Sequence, residues 1–253
     1  MRHNKIITFT LAFLTLFNSS VFADTTLVAV ASNFTKPMAE IATEFEKSTG
    51  HTAKLSFGSS GKFVSQIENG APFEVFLSAD DKSPAILQQS GFAVAGSNFT
   101  YAVGKLVLWS STANYVDAQG EILEKGGFKH IALADPKLAP YGAVAVKVLK
   151  SKNLLDKLQP LFVIGENISQ THQFVSTGNA ELGFLAMSQV SENGKITSGS
   201  GWVVPQNLYP LLKQDAVLLK IGAENPAAMA LLSYLKSAPA LAIIKKYGYD
   251  LPN

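Results

Sequence analysis

From Asp24 onward the chain alternates short apolar, β-rich runs with small-polar turns and with stretches whose apolar residues recur every three or four positions. Residues 26–31 (TLVAVA) have the unbroken apolar character of a buried strand, and Ser32-Asn33-Phe34-Thr35 follow as a turn. Met38, Ile41, Ala42 and Phe45 then share one helical face over residues 37–47, with Pro37 near the start and Gly50 past the end. The unit recurs as strand 53–57, turn Gly58-Ser59-Ser60-Gly61 and helix 62–69, and again as strand 73–77 with a helix over 84–89.

An extended apolar run at 101–109 leads to a second set with the same rhythm. It comprises strand 130–134, turn Ala139-Pro140-Tyr141-Gly142 and helix 143–150, then strand 161–164, turn Gly165-Glu166-Asn167, helix 168–176 and strand 183–187. Strands alternating with helices of this length predict βαβ crossovers and an α/β fold of parallel, doubly wound sheets. Two such sets predict two doubly wound lobes with a ligand cleft between them. Residues 24–101 with 212–253 form the first and 102–211 the second, joined by crossings near 102–109 and 209–219. Residues 226–236 and 238–247 read as amphipathic helices with no third sheet to cover, which returns them to the first lobe. The halves show no repeat at the level of sequence identity.

The first residues stand apart. Arg2, His3 and Lys5 precede an apolar run over 6–17, and Val21-Phe22-Ala23 ends the segment. This is the pattern of a secretory signal peptide, residues 1–23, cleaved after Ala23, and it predicts a periplasmic protein. The apolar run is shorter than the ~20 residues a membrane span needs. Removing the segment takes away Arg2 and Lys5 but no acid, leaving 19 basic against 19 acidic residues and a formal net charge of zero. A neutral chain with no basic run excludes nucleic acid as a partner. Arg2 is also the only arginine, so the mature chain has no guanidinium fork for carboxylate or phosphate. The absence of cysteine removes thiolate zinc sites, iron–sulfur clusters and cysteine nucleophiles.

In open α/β sheets, ligands sit beyond the carboxyl ends of the strands, where loops run into helix starts. Small polar residues occupy that place four times: Ser32-Asn33, Ser59-Ser60-Gly61, Pro140-Tyr141-Gly142 and Asn167-Ile168. Each helix start offers free N–H groups and the positive end of a dipole, which suits an anion. Singly, such clusters are ordinary caps and turns. As a set in two lobes, they point to an exported protein that closes on its ligand.

The blocks AVASNFTKPMAEIATEFEKSTG, SFGSSGKFVSQIENGAPFEVFLSAD, ALADPKLAPYGAVAVKVL, ELGFLA and KKYGYDL, in that order, resemble the periplasmic molybdate-binding proteins of ABC transporters. The resemblance covers essentially the whole mature chain and is most specific over residues 57–80. It implies a periplasmic binding-protein fold and capture of molybdate or tungstate without metal or cofactor. It also implies, as partner, an inner-membrane ABC permease with its cytoplasmic ATPase. Carried over by motif position, it puts Ser32, Asn33, Ser60, Tyr141 and the backbone of Ile168 on the oxyanion. Many members have a tyrosine where this chain has Ala186; Tyr141 with Asn33 fits the variant that takes its tyrosine from the Pro-x-Gly turn. The protein is expected to be a monomer and not an enzyme.

The chemistry of the turns agrees with this. Molybdate, tungstate and sulfate are fully deprotonated near neutral pH, whereas phosphate retains a proton in part of its population and calls for an acceptor carboxylate. Another oxyanion such as sulfate is the nearest alternative, since cavity size separates it from molybdate. A second alternative is a periplasmic serine enzyme, because Ser59 and Lys62 match S-x-x-K, but no K-T-G follows. Lys62 is otherwise expected at the cleft edge, supplying positive potential. His51, His130 and His172 lack metal-ligand spacing, and Trp109 and Trp202 read as packing residues.

Overall fold

Residues 23–252 are described by a computed structural model. The expected signal segment lies, apart from Ala23, outside the described residues. In chain order the first half contains β1 (Thr25–Ala31), a 3-10 turn (Ser32–Phe34) running into α1 (Thr35–Thr49), β2 (Thr52–Gly58), α2 (Ser60–Glu68), β3 (Val75–Leu77), α3 (Lys82–Gln89) and β4 (Phe99–Gly104). Then come β5 (Leu106–Ser110), α4 (Ile122–Lys125), β6 (Ile131–Ala134), α5 (Pro140–Ser151), α6 (Leu155–Leu158), β7 (Phe162–Gly165), α7 (Ile168–Ser176) and β8 (Leu182–Ala186). The chain closes with α8 (Met187–Val190), β9 (Ser191–Glu192), β10 (Lys195–Ile196), β11 (Ser200–Val203), β12 (Leu212–Leu218), α9 (Pro226–Tyr234) and α10 (Ala238–Lys246).

Two five-stranded sheets result, in the orders β2-β1-β3-β12-β4 and β7-β6-β8-β5-β11. Their first three strands are parallel in each case, as the alternating pattern requires. The fourth strand of each is antiparallel to both neighbours, so the sheets are mixed rather than wholly parallel. The reason is connectivity: β5 and β12 enter their sheets directly from the other sheet, with no crossover helix to reverse the chain. The run expected as one extended crossing at 101–109 is two strands in two sheets, separated by Lys105 alone. Residues 102–104 therefore pair with β12 in the first sheet.

Both faces of each sheet are covered. Met38, Ile41 and Phe45 of α1 pack with Leu231 of α9 and Ile244 of α10 over Val28 and Val30 of β1. Phe63 and Ile67 of α2 and Leu87 of α3 meet Ala29 and Phe76 on the opposite face. In the second sheet, Ala145 and Val148 of α5 cover Leu108 and Leu133. Val175 of α7 covers Val107, Trp109 and Ala132 on the other side. Each sheet is thus fixed in its own core, and the helix starts at its strand ends are held rigidly.

Candidate functional site

The carboxyl ends of β1, β2, β6 and β7 converge on a buried cavity lined by Ala31, Ser32, Asn33, Gly58, Ser59, Ser60, Ala79, Ala139, Pro140, Tyr141 and Ile168. All five residues expected from the sequence are therefore in one place. No acid, lysine or histidine is among them. The cavity is small, about 10 Å³, which suits a compact ligand and not a drug-sized molecule.

Four helical segments begin here. Ser60 is the first residue of α2, Pro140 and Tyr141 open α5, and Ile168 opens α7, while Ser32 and Asn33 form the 3-10 turn that leads into α1. At α7 the Asn167 side chain accepts from the N–H groups of Ser169 (2.9 Å) and Gln170 (3.1 Å). This cap leaves the Ile168 N–H without a partner among the described residues, and the helix dipole adds its positive end. The N–H groups of Asn33, Ser60 and Tyr141 occupy the same kind of position.

The hydroxyls are equally specific. Ser60 Oγ accepts from Ala79 N at 2.9 Å, which holds the side chain and leaves its own hydrogen to donate. Ser59 Oγ is buried with no hydrogen-bond partner, although Ser59 precedes a helix and could have capped it. Ser59 also lines the cavity, so its hydroxyl is available to a ligand bound there. From the sequence, Ser59 belongs to the anion-suited turn Ser59-Ser60-Gly61 and to the S-x-x-K alternative but is not among the residues expected on the oxyanion; its place beside Ser60 was the available signal. Burial, first, and then the neighbouring Tyr249 raise the Tyr141 pKa well above the ordinary phenol range, so Tyr141 stays protonated.

Asn33 behaves differently from expectation. Both hydrogens of its amide are engaged, to Gln214 Oε1 at 2.8 Å and to Tyr249 Oη at 2.9 Å. What it presents to the cavity as a donor is its backbone N–H. Ala186 is fully buried, opens no side chain on the cavity, and donates its N–H to Gln189 Oε1. Lys62 does not supply free positive potential, because it pairs across the cleft with Glu166, each about half exposed.

The two sheets' elements are closed on each other around the cavity. Gly61 N donates to Leu138 O (2.9 Å), Ser169 Oγ to Ser32 O (3.2 Å) and Ser188 Oγ to Asn33 O (2.8 Å).

The bacterial extracellular solute-binding protein family matches residues 26–250. The molybdate-binding protein ModA of Azotobacter vinelandii is 59% identical over 224 residues, covering 88% of this chain and 89% of that protein. ModA of Rhodobacter capsulatus is 54% identical over 223 residues, covering 88% and 87%. Among solved structures, an Azotobacter vinelandii periplasmic molybdate-binding protein superposes with a TM-score of 0.87 at 45% identity, covering 90% of this chain and all of that one. The fold is that of the two-lobed binding proteins, and the chain belongs to the bacterial extracellular solute-binding proteins, within the ModA family.

Proposed function

We propose that this protein captures molybdate or tungstate, reversibly and without catalysis, as the soluble receptor of an ABC transporter. One observation carries the reading: a buried, acid-free cavity of oxyanion size is lined by free hydroxyls and by the N–H groups of four helical starts. Ser32, Ser60 and Tyr141 donate through side chains, with Asn33 and Ile168 donating through backbone. A dianion that never needs to donate a hydrogen is satisfied there, whereas hydrogen phosphate would find no carboxylate to accept its O–H.

The lobes follow the sheets, with residues 24–104 and 212–252 in one and 105–211 in the other. Lys105 and Tyr209–Leu211 are the hinges. Cleavage after Ala23 would release the mature chain into the periplasm as a monomer. There it would hand its ion to an inner-membrane permease driven by a cytoplasmic ATPase. Isothermal titration of the mature chain with molybdate, tungstate, sulfate and phosphate tests the reading. Molybdate and tungstate should bind alike and tightly. A response to phosphate but none to molybdate would overturn it.

A further inference from the structure

Behind Tyr141 lies a fully buried amide, Gln214, on the strand that re-enters the first sheet. Its Oε1 accepts from Asn33 Nδ2 (2.8 Å); Tyr101 Oη lies 3.1 Å away and shares its single hydrogen with the Ser78 carbonyl at 2.9 Å. An asparagine NH2 can only donate, so this contact fixes which end of the Gln214 amide is oxygen. The other end, Nε2, then points at Tyr141 Oη at 3.1 Å and donates to it. A phenol that accepts on this side must send its own hydrogen elsewhere. Without ligand that hydrogen can go to the Tyr249 hydroxyl, which also accepts from Asn33 Nδ2 at 2.9 Å, and a charged oxyanion in the cavity is the stronger acceptor for it.

We propose that Gln214 is a positioning residue that sets Tyr141 as a hydrogen donor toward the bound oxyanion, acting through the phenol and never touching the ligand. Gly104, the last residue of β4, supports this independently. A Cβ at Gly104 would lie 2.2 Å from Tyr141 Oη and 2.5 Å from Gln214 Nε2. The hydrogen bond between lobes exists only because no side chain stands at the point where the chain leaves the first sheet. Polarity matters more here than strength. An acceptor in place of Nε2 would draw the phenol's hydrogen away from the cavity and leave a lone pair facing an anion.

This inference rests on the oxyanion reading, and a set of variants separates the two. Molybdate affinity is measured calorimetrically on the mature chain for wild type, Tyr141→Phe, Gln214→Met, Gly104→Ala and the two double variants containing Tyr141→Phe. Gln214→Met should weaken binding roughly ten-fold, yet change affinity by less than about two-fold once Tyr141 is Phe. Gly104→Ala, which removes no polar group, should show the same dependence on Tyr141 and keeps the test alive if Gln214→Met folds poorly. Full multiplication of the effects, or a Gln214→Met protein that binds like wild type while Tyr141→Phe is impaired, overturns this role alone. A wild type that takes up none of the oxyanions overturns the site itself and the role with it.

Discussion

The backbone N–H of Gly61 donates to the carbonyl of Leu138 at 2.9 Å, joining the first turn of α2 to the loop between β6 and α5 across the cleft. An added Cβ at Gly61 would sit 3.0 Å from that same oxygen and 3.1 Å from Leu138 Cα. Gly61→Ala should therefore hinder closure while leaving every proposed anion donor in place. Stopped-flow binding should show molybdate leaving a few-fold faster, with association nearly unchanged.

On the proposed reading, Ser60 and Tyr141 divide the work between lobes. A hydrogen bond to a charged group contributes ~1.5 to 3 kcal/mol, so Ser60→Ala should weaken molybdate binding by roughly ten- to a hundred-fold. Tyr141→Phe keeps the ring and removes the donor that arrives on closure, so its loss should fall mainly on the dissociation rate. Titration calorimetry combined with stopped-flow measures both. Two variants indistinguishable from wild type would place the anion elsewhere.

For Ser59 the expectation has two signs. Its hydroxyl is buried without a partner, so Ser59→Ala removes an unsatisfied group from the ligand-free protein. The melting temperature of the ligand-free variant should rise by a degree or more, roughly the effect of ~0.5 kcal/mol, while molybdate binds more weakly. A variant that loses stability without ligand would show that Ser59 has an ordinary structural partner.

The cleft-spanning pair of Lys62 and Glu166 is about half exposed on both sides. Exposed pairs contribute little, typically 0.2–1 kcal/mol, and are screened by salt. Glu166→Gln should change molybdate affinity by no more than about five-fold at low salt, and the difference should vanish near 1 M salt. A larger, salt-independent loss would give Glu166 a direct part in closure.

His172 stacks on Trp109, ring centroids 5.6 Å apart, beside the cleft. Burial, and then the charge of Lys36, hold its pKa below 6.5. The unfolded chain therefore takes up this proton first. Its contribution to stability is complete above pH 6.5 and is lost as pH falls through the lower, folded value. Thermal melts between pH 8 and 5 should show a shallower acid decline for His172→Gln than for wild type; parallel curves would refute the assignment.

How much of this could be read from residues alone depends on range. Helix α7 begins and ends where expected, because Asn167 caps it and the apolar spacing runs cleanly from Ile168 to Val175. Helix α5 starts three residues earlier than expected, at Pro140, since proline fits the first helical position as well as it fits a turn. That places Tyr141 on a helix rather than in a turn. The antiparallel direction of β5 and β12 was not legible, as period-two burial is the same in parallel and antiparallel pairs. Gln214 carried no signal, and Tyr249 stood out only as part of the block KKYGYDL, not as a residue of the site. Folding within the first lobe brings them to Asn33, and only the meeting of the two sheets brings Gln214 to Tyr141.

Asn33 and Tyr249 are 216 positions apart, yet the hydroxyl of one braces the amide of the other beneath the anion cavity. Contacts of such separation form late, after the loop closures that make them possible. A chain crossing a membrane amino end first would present neither a finished cavity floor nor a settled Asn33 until almost its whole length had emerged. Nascent or truncated molecules should thus be unable to retain the ion, and ligand retention becomes a built-in report of complete synthesis.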